Sequence, residues 1–502
     1  MKRLFSILTL AGALGCCASA AGTPPITGDI AVIGGGSAGF AAAWSAAHLG
    51  SDVVLIEKEH ELGGTSTLGG VNNWEPGMGA TGVPLRVFQR LSRIPNAVGV
   101  YRFDRHCMWK KPQEAYAFPG GIVETDPALT YADTLLRHGP GMRDEAWFRA
   151  HCHGVIFEPD AMAATMLAML KETGHCRVLL DTAFIRASQT NGRVESVTLS
   201  DGSTVRAKRF IDATDGVLCA QLGCELMSGR ESRAEFGEPG APAGADNRMN
   251  GATLVYRVTP LAPTAPDGVE PLPADVPKNC WWGRFPYAFV GAYPNGDRFV
   301  NMLPTLAGDA YVKLGPEKAR GECVRRVYAH WHWLQSNYTE FRRFRLKTIF
   351  PLVGVRETRR VRGEYVLNQN DLIAGFPGQR HTDIIAIADH MMDSHGGGGP
   401  GGELKNAYGV PYRCLLPRGT ENVLIAGRAA SFSAIAASSC RLSRTMMQLG
   451  EAAGVAAHLS CKNGTALRSV PPEDIRRLMA ERIDQSIPCT GRDWKRETPF
   501  VR

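Results

Sequence analysis

The 502-residue chain has thirteen cysteines, yet no two stand at C-x-x-C spacing. Neither a zinc site nor an iron–sulfur cluster therefore has a ligand set, so no metal is expected and a second redox centre of that kind is ruled out. Basic residues are not bunched either. The net charge of +7 is spread, and the densest cluster, Arg356 to Arg362, is broken by Glu357 and alternates like a strand, which argues against a nucleic-acid surface. There is no internal repeat and no low-complexity tract. The apolar run Leu4 to Leu14 is too short to span a bilayer. After residue 75 no second G-x-G-x-x-G stands between a strand and a helix, because the glycines at Gly396–Gly402 follow a His/Asp-rich loop rather than a buried strand. A dedicated NAD(P)H domain is not expected.

The N-terminus reads as an address rather than part of the fold. Lys2-Arg3 precedes the apolar run, and Ala18-Ser19-Ala20 offers an A-x-A cleavage site, the pattern of a bacterial secretory signal over residues 1–20. Export to the periplasm or medium is the expectation. Cys16 and Cys17 leave lipoprotein anchoring as an alternative, although neither follows a good lipobox, and Lys2-Arg3-Leu4-Phe5 is only faintly like a twin-arginine signal. Cleavage removes two cations and two cysteines, and no transmembrane helix is expected afterwards.

What the chain does have is concentrated between Asp29 and Thr67. Ile30 to Ile33 is short, apolar and β-branched, as a buried parallel strand should be. Gly34, Gly36 and Gly39 then fill the places of G-x-G-x-x-G around Gly35, Ser37 and Ala38. In that motif the first glycine makes the turn, the second admits a pyrophosphate to the backbone and the third lets helix and strand pack closely. An alanine-rich helix, Phe40 to Leu49, presents its N-terminal amides to the phosphates. A second strand, Asp52 to Ile56, ends at Glu57, whose carboxylate can accept both hydroxyls of an adenosine ribose. The run continues Lys58-Glu59-His60-Glu61-Leu62-Gly63-Gly64-Thr65, and E-K-x-x-x-x-G-G-T resembles the FAD-binding, glutathione-reductase type of two-dinucleotide-domain flavoproteins. By that resemblance FAD is the cofactor, and Gly63 and Gly64 let the loop pass under the ribityl chain and flavin ring.

Further along, the helix Ala161 to Glu172 is expected to be capped by Asp160. A strand over Arg177 to Leu180 and a hairpin of Arg193–Leu199 with Thr204–Ala207, turned on Asp201-Gly202, should follow. The strand ending in Asp212-Ala213-Thr214-Asp215-Gly216 is similar to the second dinucleotide-contacting turn of this flavoprotein class, which implies that backbone near Ala183 and Ala213 lies against the adenosine half. Residues 225–415 read as strands (Ala252–Val258, Phe285–Ala292, Arg298–Met302, Thr348–Leu352) with one long helix, Pro316 to Ser336. The dinucleotide fold resumes with the strand Glu421–Arg428 and a helix, Met446 to Leu459, containing L-G-E-A-A-G. That helix is expected to aim its amides at the flavin's N1/O2 edge. A final helix, Pro472 to Ile487, ends the chain.

Together E-K-x-x-x-x-G-G-T, G-V-R-E-T-R-R-V-R-G-E-Y at Gly354–Tyr365, V-P-Y-R-C-L at Val410–Leu415, N-V-L-I-A-G-R at Asn422–Arg428, Arg441 and L-G-E-A-A-G at Leu449–Gly454 resemble the FAD-dependent oxidoreductases. A more distant likeness is to the flavin domain of heterodisulfide reductase, without its iron–sulfur cysteines. The fold this implies is α/β: a Rossmann-like FAD-binding domain with an inserted, mainly antiparallel α+β substrate domain. The expected boundaries are 28–75, 155–224 and 416–460 for the discontinuous FAD-binding domain, 76–154 for an insertion, 225–415 for the substrate cap and 461–502 for a helical tail. Cofactor contacts are expected from Gly34, Gly36, Ser37, Ala38, Gly39, Glu57, Lys58, Gly63, Gly64, Thr65, Ala183, Ala213, Gly427, Arg428 and Gly450. Relatives commonly have Asp at the place of Arg428, so this residue departs from their pattern.

Flavin carries the hard chemistry, and the protein adds orientation, electrostatics and a proton acceptor or donor. Arg356 and Glu357 alternate, so at most one of them points at the flavin. An arginine there suits a carboxylate or keto substrate, while a structural ion-pair strand is the competing reading. His390 and His395, with Asp389 and Asp393, precede the glycine-rich loop and suit general acid–base work in a mobile segment. Arg441, just before the flavin-facing helix, suits charge on the pyrimidine edge of the reduced ring. The expectation is an enzyme that transfers a hydride between flavin N5 and a small organic substrate, most simply a dehydrogenase. Its electron partner would be a quinone, a cytochrome or oxygen. The alternatives are a reductase of activated C=C bonds and a non-catalytic flavin electron carrier.

Overall fold

A computed structural model describes residues 24–102, 123–135, 147, 150–283 and 288–481. The leader at 1–20, Trp109, Tyr116, the start of the Phe285 strand and the end of the last helix lie outside the described residues.

The main sheet has seven strands. Cys176–Leu179, Val53–Ile56, Ile26–Ile33, Thr204–Asp212 and Val423–Ile425 run parallel, in that spatial order. Their registers set Ile30 beside Val53 on one side and Arg209 on the other, and Leu424 beside Ile211. The inner strands are continuous apolar runs because both faces are covered. Helix Ser37–His48, eleven of whose twelve residues are buried, and helix Ser443–Asn463 pack over the sheet. The expected hairpin on Asp201-Gly202 forms, and a further strand, Phe184–Thr190, extends it. It is mostly exposed, Ile185 included, so burial patterning hides it. The signal that marks it is Asn191-Gly192, both at positive φ, the signature of a tight hairpin turn.

The helix after residue 158 is Pro159–Glu172, one turn edge earlier than expected, with Glu158 as N-cap and no side-chain cap bond. Proline prefers the first helical position, which displaces Asp160 into the first turn, where its charge still meets the helix dipole. The flavin-side helix is longer than its apolar pattern, Ser443–Asn463, and the long cap helix is Pro316–Asn337.

A second apolar core lies under a four-stranded antiparallel sheet ordered Ala288–Ala292, Arg298–Met302, Val255–Pro260 and Phe344–Ile349. Trp331, Leu334, Cys323 and Val327 of the long helix belong to this core. Asn73–Trp74, His153–Phe157 and Val98–Arg102 form a third, antiparallel sheet, which Val123 joins to the cap by a bridge to Gly291. The Arg356–Arg362 run crosses between the two main parts, anchored by Arg360. That side chain is fully buried and ion-paired to Glu231 at 2.6 Å and to Glu357. Among the described residues, no helix is long and apolar enough to cross a membrane.

Candidate functional site

The strand Ile26–Ile33 stops at a turn that only glycine can make. Gly34 has φ +98°, and a Cβ on Gly39 would sit 1.7 Å from the Gly34 carbonyl oxygen. Gly36 is different in kind: its backbone is extended (φ −66°, ψ −173°), and a Cβ there would meet nothing within 4 Å. It faces open space, as a residue against which a ligand lies must do. Helix Ser37–His48 begins here with no side-chain cap, so its first amides are left for an anion.

Glu57 ends the neighbouring strand and turns back onto this loop. Its Oε1 accepts from Glu59 N at 2.9 Å, and its Oε2 accepts from Gly35 N. Burial raises its pKa, opposed by those two backbone bonds. Gly63 N donates to Gly35 O at 2.9 Å, so Gly63 holds the cradle rather than lining it, and Gly39 acts likewise from inside.

The loop opens on a cavity of about 970 Å³, at the upper end for ligand sites. Gly34, Gly36, Ser37, Ala38, Glu57, Lys58, Gly64, Thr65, Ala183, Ala213, Gly427 and Arg428 all line it. Arg428 lies 3.8 Å from Asp215. Leu442 to Met446 line it too, at the start of Ser443–Asn463, whose N-cap makes no side-chain bond. Gly450 corrects the expectation: it is not at the cavity. A Cβ there would lie 2.0 Å from Ala38 O, and one on Gly454 would lie 2.2 Å from Ala42 O. These glycines let the two helices touch backbone to backbone, a packing role that resembles a cofactor motif in sequence because the same helix begins at the cavity.

Of the proposed chemistry-bearing residues, Arg356, His395 and Arg441 reach this cavity. Arg356 and Glu357 precede the short strand Arg360–Val361 and point to different sides, as alternation predicts. Glu357 turns inward to Arg360 and to Asn250 Nδ2 (2.8 Å), while Arg356 Nη1 donates to Gly251 O and Thr253 Oγ1, both at 2.7 Å. Burial, and next the charge of Arg441, push the Arg356 guanidinium down to about 9. His395, held at φ +41°, donates from Nε2 to Asp393 Oδ2 at 2.5 Å. Asp393 also accepts from Arg441 Nη2 at 3.3 Å. Although burial pushes the Asp393 carboxyl up, the His395 bond and the cations around it hold it well below the usual range. Burial and the Arg356 charge hold His395 far below the ordinary imidazole value, so at neutral pH the ring is neutral, with its proton on Nε2 toward Asp393 and Nδ1 left as an acceptor.

His390 is not part of this wall. It is buried behind Asp389, with Nε2 3.4 Å from Glu75 Oε2. Asp389 follows the strand Ile384–Ala388 and lines the cavity, and His390 does not. Glu75 and Arg444, which donates to Thr134 Oγ1 at 2.8 Å, line the cavity although sequence reasoning gave them no role, and Asp389, named there beside His390, lines it too, its Oδ2 accepting from Met78 N at 2.8 Å. Glu75 sits in the glycine- and asparagine-rich segment after Thr65, and its neighbour Trp74 lines the cavity as well. Arg444 stands in the first turn of a helix read as starting two residues later.

An open Gly36, an uncapped helix end, a buried carboxylate beside the turn and a long cavity running to a second uncapped helix start fit FAD. The family described as FAD dependent oxidoreductase matches residues 29–479. This chain belongs to it. The oxidoreductase is therefore an FAD-dependent enzyme. Two curated relatives, both fumarate reductase (cytochrome) of Shewanella frigidimarina, are 49% identical over 57 residues, 11% of this chain and 10% of each relative. Among solved structures, a geranylgeranyl bacteriochlorophyll reductase-like protein of Thermoplasma acidophilum is 12% identical, with TM-score 0.42, covering 91% of this chain and 83% of its own. The p-nitrophenol 4-monooxygenase of Pseudomonas putida is 13% identical, with TM-score 0.40 and coverage of 91% and 85%. L-proline dehydrogenase of P. horikoshii is 11% identical, with TM-score 0.39 and coverage of 92% and 100%. These are distant likenesses.

Proposed function

We propose that this oxidoreductase transfers a hydride between flavin N5 and a small organic substrate bearing a carboxylate or keto group, and that it works as a dehydrogenase. FAD, when bound, supplies the hydride acceptor. The observation that carries the reading is a cation and a neutral base, Arg356 and His395, opening on the same cavity as the Gly36 cradle. Arg356 is half-buried and donates to two neutral oxygens, so an incoming anionic oxygen offsets its lost hydration and is oriented by its planar fork. His395 Nδ1 takes the substrate proton, and Asp393 stabilises the imidazolium that forms. Arg441 holds Asp393 in place and adds positive charge to that wall. Phe289, Leu303 and Val355 of the cap side keep water from it.

The electron partner fits an acceptor outside the cytosolic nicotinamide pool, a quinone, a cytochrome or oxygen, in keeping with the export signal read over residues 1–20. A second reading, reduction of an activated C=C bond, draws support from the 57-residue match to fumarate reductase (cytochrome). The test is anaerobic. Hydroxy acids, sugars, sterols and enoates are mixed in turn with oxidised enzyme, and the photoreduced enzyme is then mixed with NAD⁺, a quinone and fumarate-like enoates. Bleaching by a hydroxy acid supports the dehydrogenase. Reoxidation by an enoate supports the reductase, and rapid reoxidation by NAD⁺ alone overturns the acceptor reading.

A further inference from the structure

Helix Val217–Gln221 and the turn that ends it carry two cysteines, Cys219 and Cys224, that no role above uses. Gly223 N donates to Ala220 O at 3.2 Å and Cys224 N donates to Cys219 O at 3.1 Å, with Gly223 at φ +79°. These are the paired bonds of a Schellman stop, which brings together the side chains of its first and last residues, commonly as an apolar contact. Here both residues are cysteines, and both are free thiols. A disulfide needs Cα atoms about 4.4–6.8 Å apart, a span compatible with a direct backbone bond between the two residues. Cys219 and Cys224 are themselves buried, while Gln221, Gly223 and Glu225 beside them are exposed, so local opening of the turn gives access.

The pair is wired to the cavity. Cys219 N donates to Asp212 Oδ2 at 3.0 Å, and Asp212 Oδ1 accepts from Thr214 N at 3.1 Å and Thr214 Oγ1 at 2.5 Å. Thr214, Asp215 and Val217 line the cavity, as do Lys58 and Glu59.

We propose that Cys219 and Cys224 are a redox pair that closes to a disulfide and, when closed, clamps the Asp212–Gly216 turn that walls the FAD cavity. The clamp rests on the FAD reading; closure does not. Cys224 is the attacking end. It is the more accessible of the two, 9% exposed between the exposed Gly223 and Glu225, whereas Cys219 is fully buried. The Cys224 thiolate attacks one sulfur of an exchanging disulfide, oxidised glutathione or a protein disulfide, and the thiolate it expels takes up the Cys224 proton. Cys219, deprotonated, then attacks the Cys224 sulfur of the mixed disulfide, and the second expelled thiolate takes up that proton. Two cysteine thiols are oxidised and one disulfide is reduced to two thiols.

The test equilibrates the FAD-loaded full chain in glutathione buffers of graded poise, quenches with acid, alkylates, and reads intact mass and peptide maps. Oxidation should remove two alkylatable thiols and the mass of two hydrogens, with a peptide linking Cys219 to Cys224, and neither Cys224→Ser nor Cys219→Ala should show the loss. FAD release on dilution, followed by flavin fluorescence, should be several-fold slower for oxidised than for reduced wild type, and indifferent to poise in Cys224→Ser. Thiols that stay alkylatable at every poise, or a link to another cysteine, overturn the pair. Closure with equal release rates overturns the clamp. A protein that holds no FAD in either state counts against the FAD reading and leaves the mass result standing.

Discussion

Two glycines three residues apart in one motif should fail in opposite ways. Gly36→Ala puts a methyl where nothing lies within 4 Å, on backbone that any residue adopts. The apoprotein should keep its stability to within about 0.5 kcal/mol, or gain slightly from a stiffer unfolded chain. The methyl instead occupies the surface against which a pyrophosphate would lie. Losing one charge-assisted backbone bond there costs about 1.5–3 kcal/mol, roughly a 10–150-fold rise in the FAD dissociation constant. Gly39→Ala places its methyl 1.7 Å from Gly34 O, so helix and turn must separate by well over an ångström. Alanine's helix preference, about 1 kcal/mol over glycine, offsets only part of an overpacking cost that runs at about 1–3 kcal/mol even for milder insertions. The assay pairs thermal unfolding of apoprotein, by circular dichroism, with FAD titration by fluorescence. Gly36→Ala should lose affinity with an unchanged apo transition, and Gly39→Ala should lower the apo transition. Equal destabilisation by both, or full FAD affinity in Gly36→Ala, would refute the assignment of cradle and packing roles.

Arg356→Met should leave the bound-flavin spectrum intact and weaken any carboxylate substrate by about tenfold or more, the loss of a charged hydrogen bond, read as a spectral titration; unchanged affinity counts against the clamp. His395→Gln should slow flavin reduction about 10²–10⁴-fold. Because the His395 pKa is held far below its ordinary 6.5, the base stays unprotonated as pH falls through that value, so the wild-type rate should show no acid limb there; a limb near 6.5 contradicts the burial argument. Arg360→Met strands the carboxylates of Glu231 and Glu357, each buried, and should destabilise the fold by about 3–5 kcal/mol, measured as loss of soluble protein or of its unfolding transition. Gly450→Val should disrupt packing of its helix on Ala38 and lower stability before it alters any flavin contact, so a purely spectral effect would restore a cofactor role.

The strand–turn–helix from Ile30 to His48 was written locally. Its β-branched run, its three spaced glycines and its alanine helix each act on neighbours in the chain, and Glu57 follows at the next strand's end for the same reason. The Arg356/Glu357 split was likewise legible, since alternation in an extended run needs no partner to be known. Other features belong to tertiary structure. Gly450 and Gly454 read as part of a cofactor motif, but close approach to Ala38 and Ala42 decides their use, and those residues lie hundreds of positions away in the chain. His390 and His395 looked equivalent in sequence. The strand before them buries the first beside Glu75, and the turn at Asp393 aims the second into the cavity. Glu75 and Arg444 carry no local signature, because a lone charged residue becomes a wall of a site only when separate segments fold onto one space. The sequence by itself determined where a dinucleotide could be cradled; which cation and which base face it was decided by packing, because desolvation and distance exist only once the chain has closed.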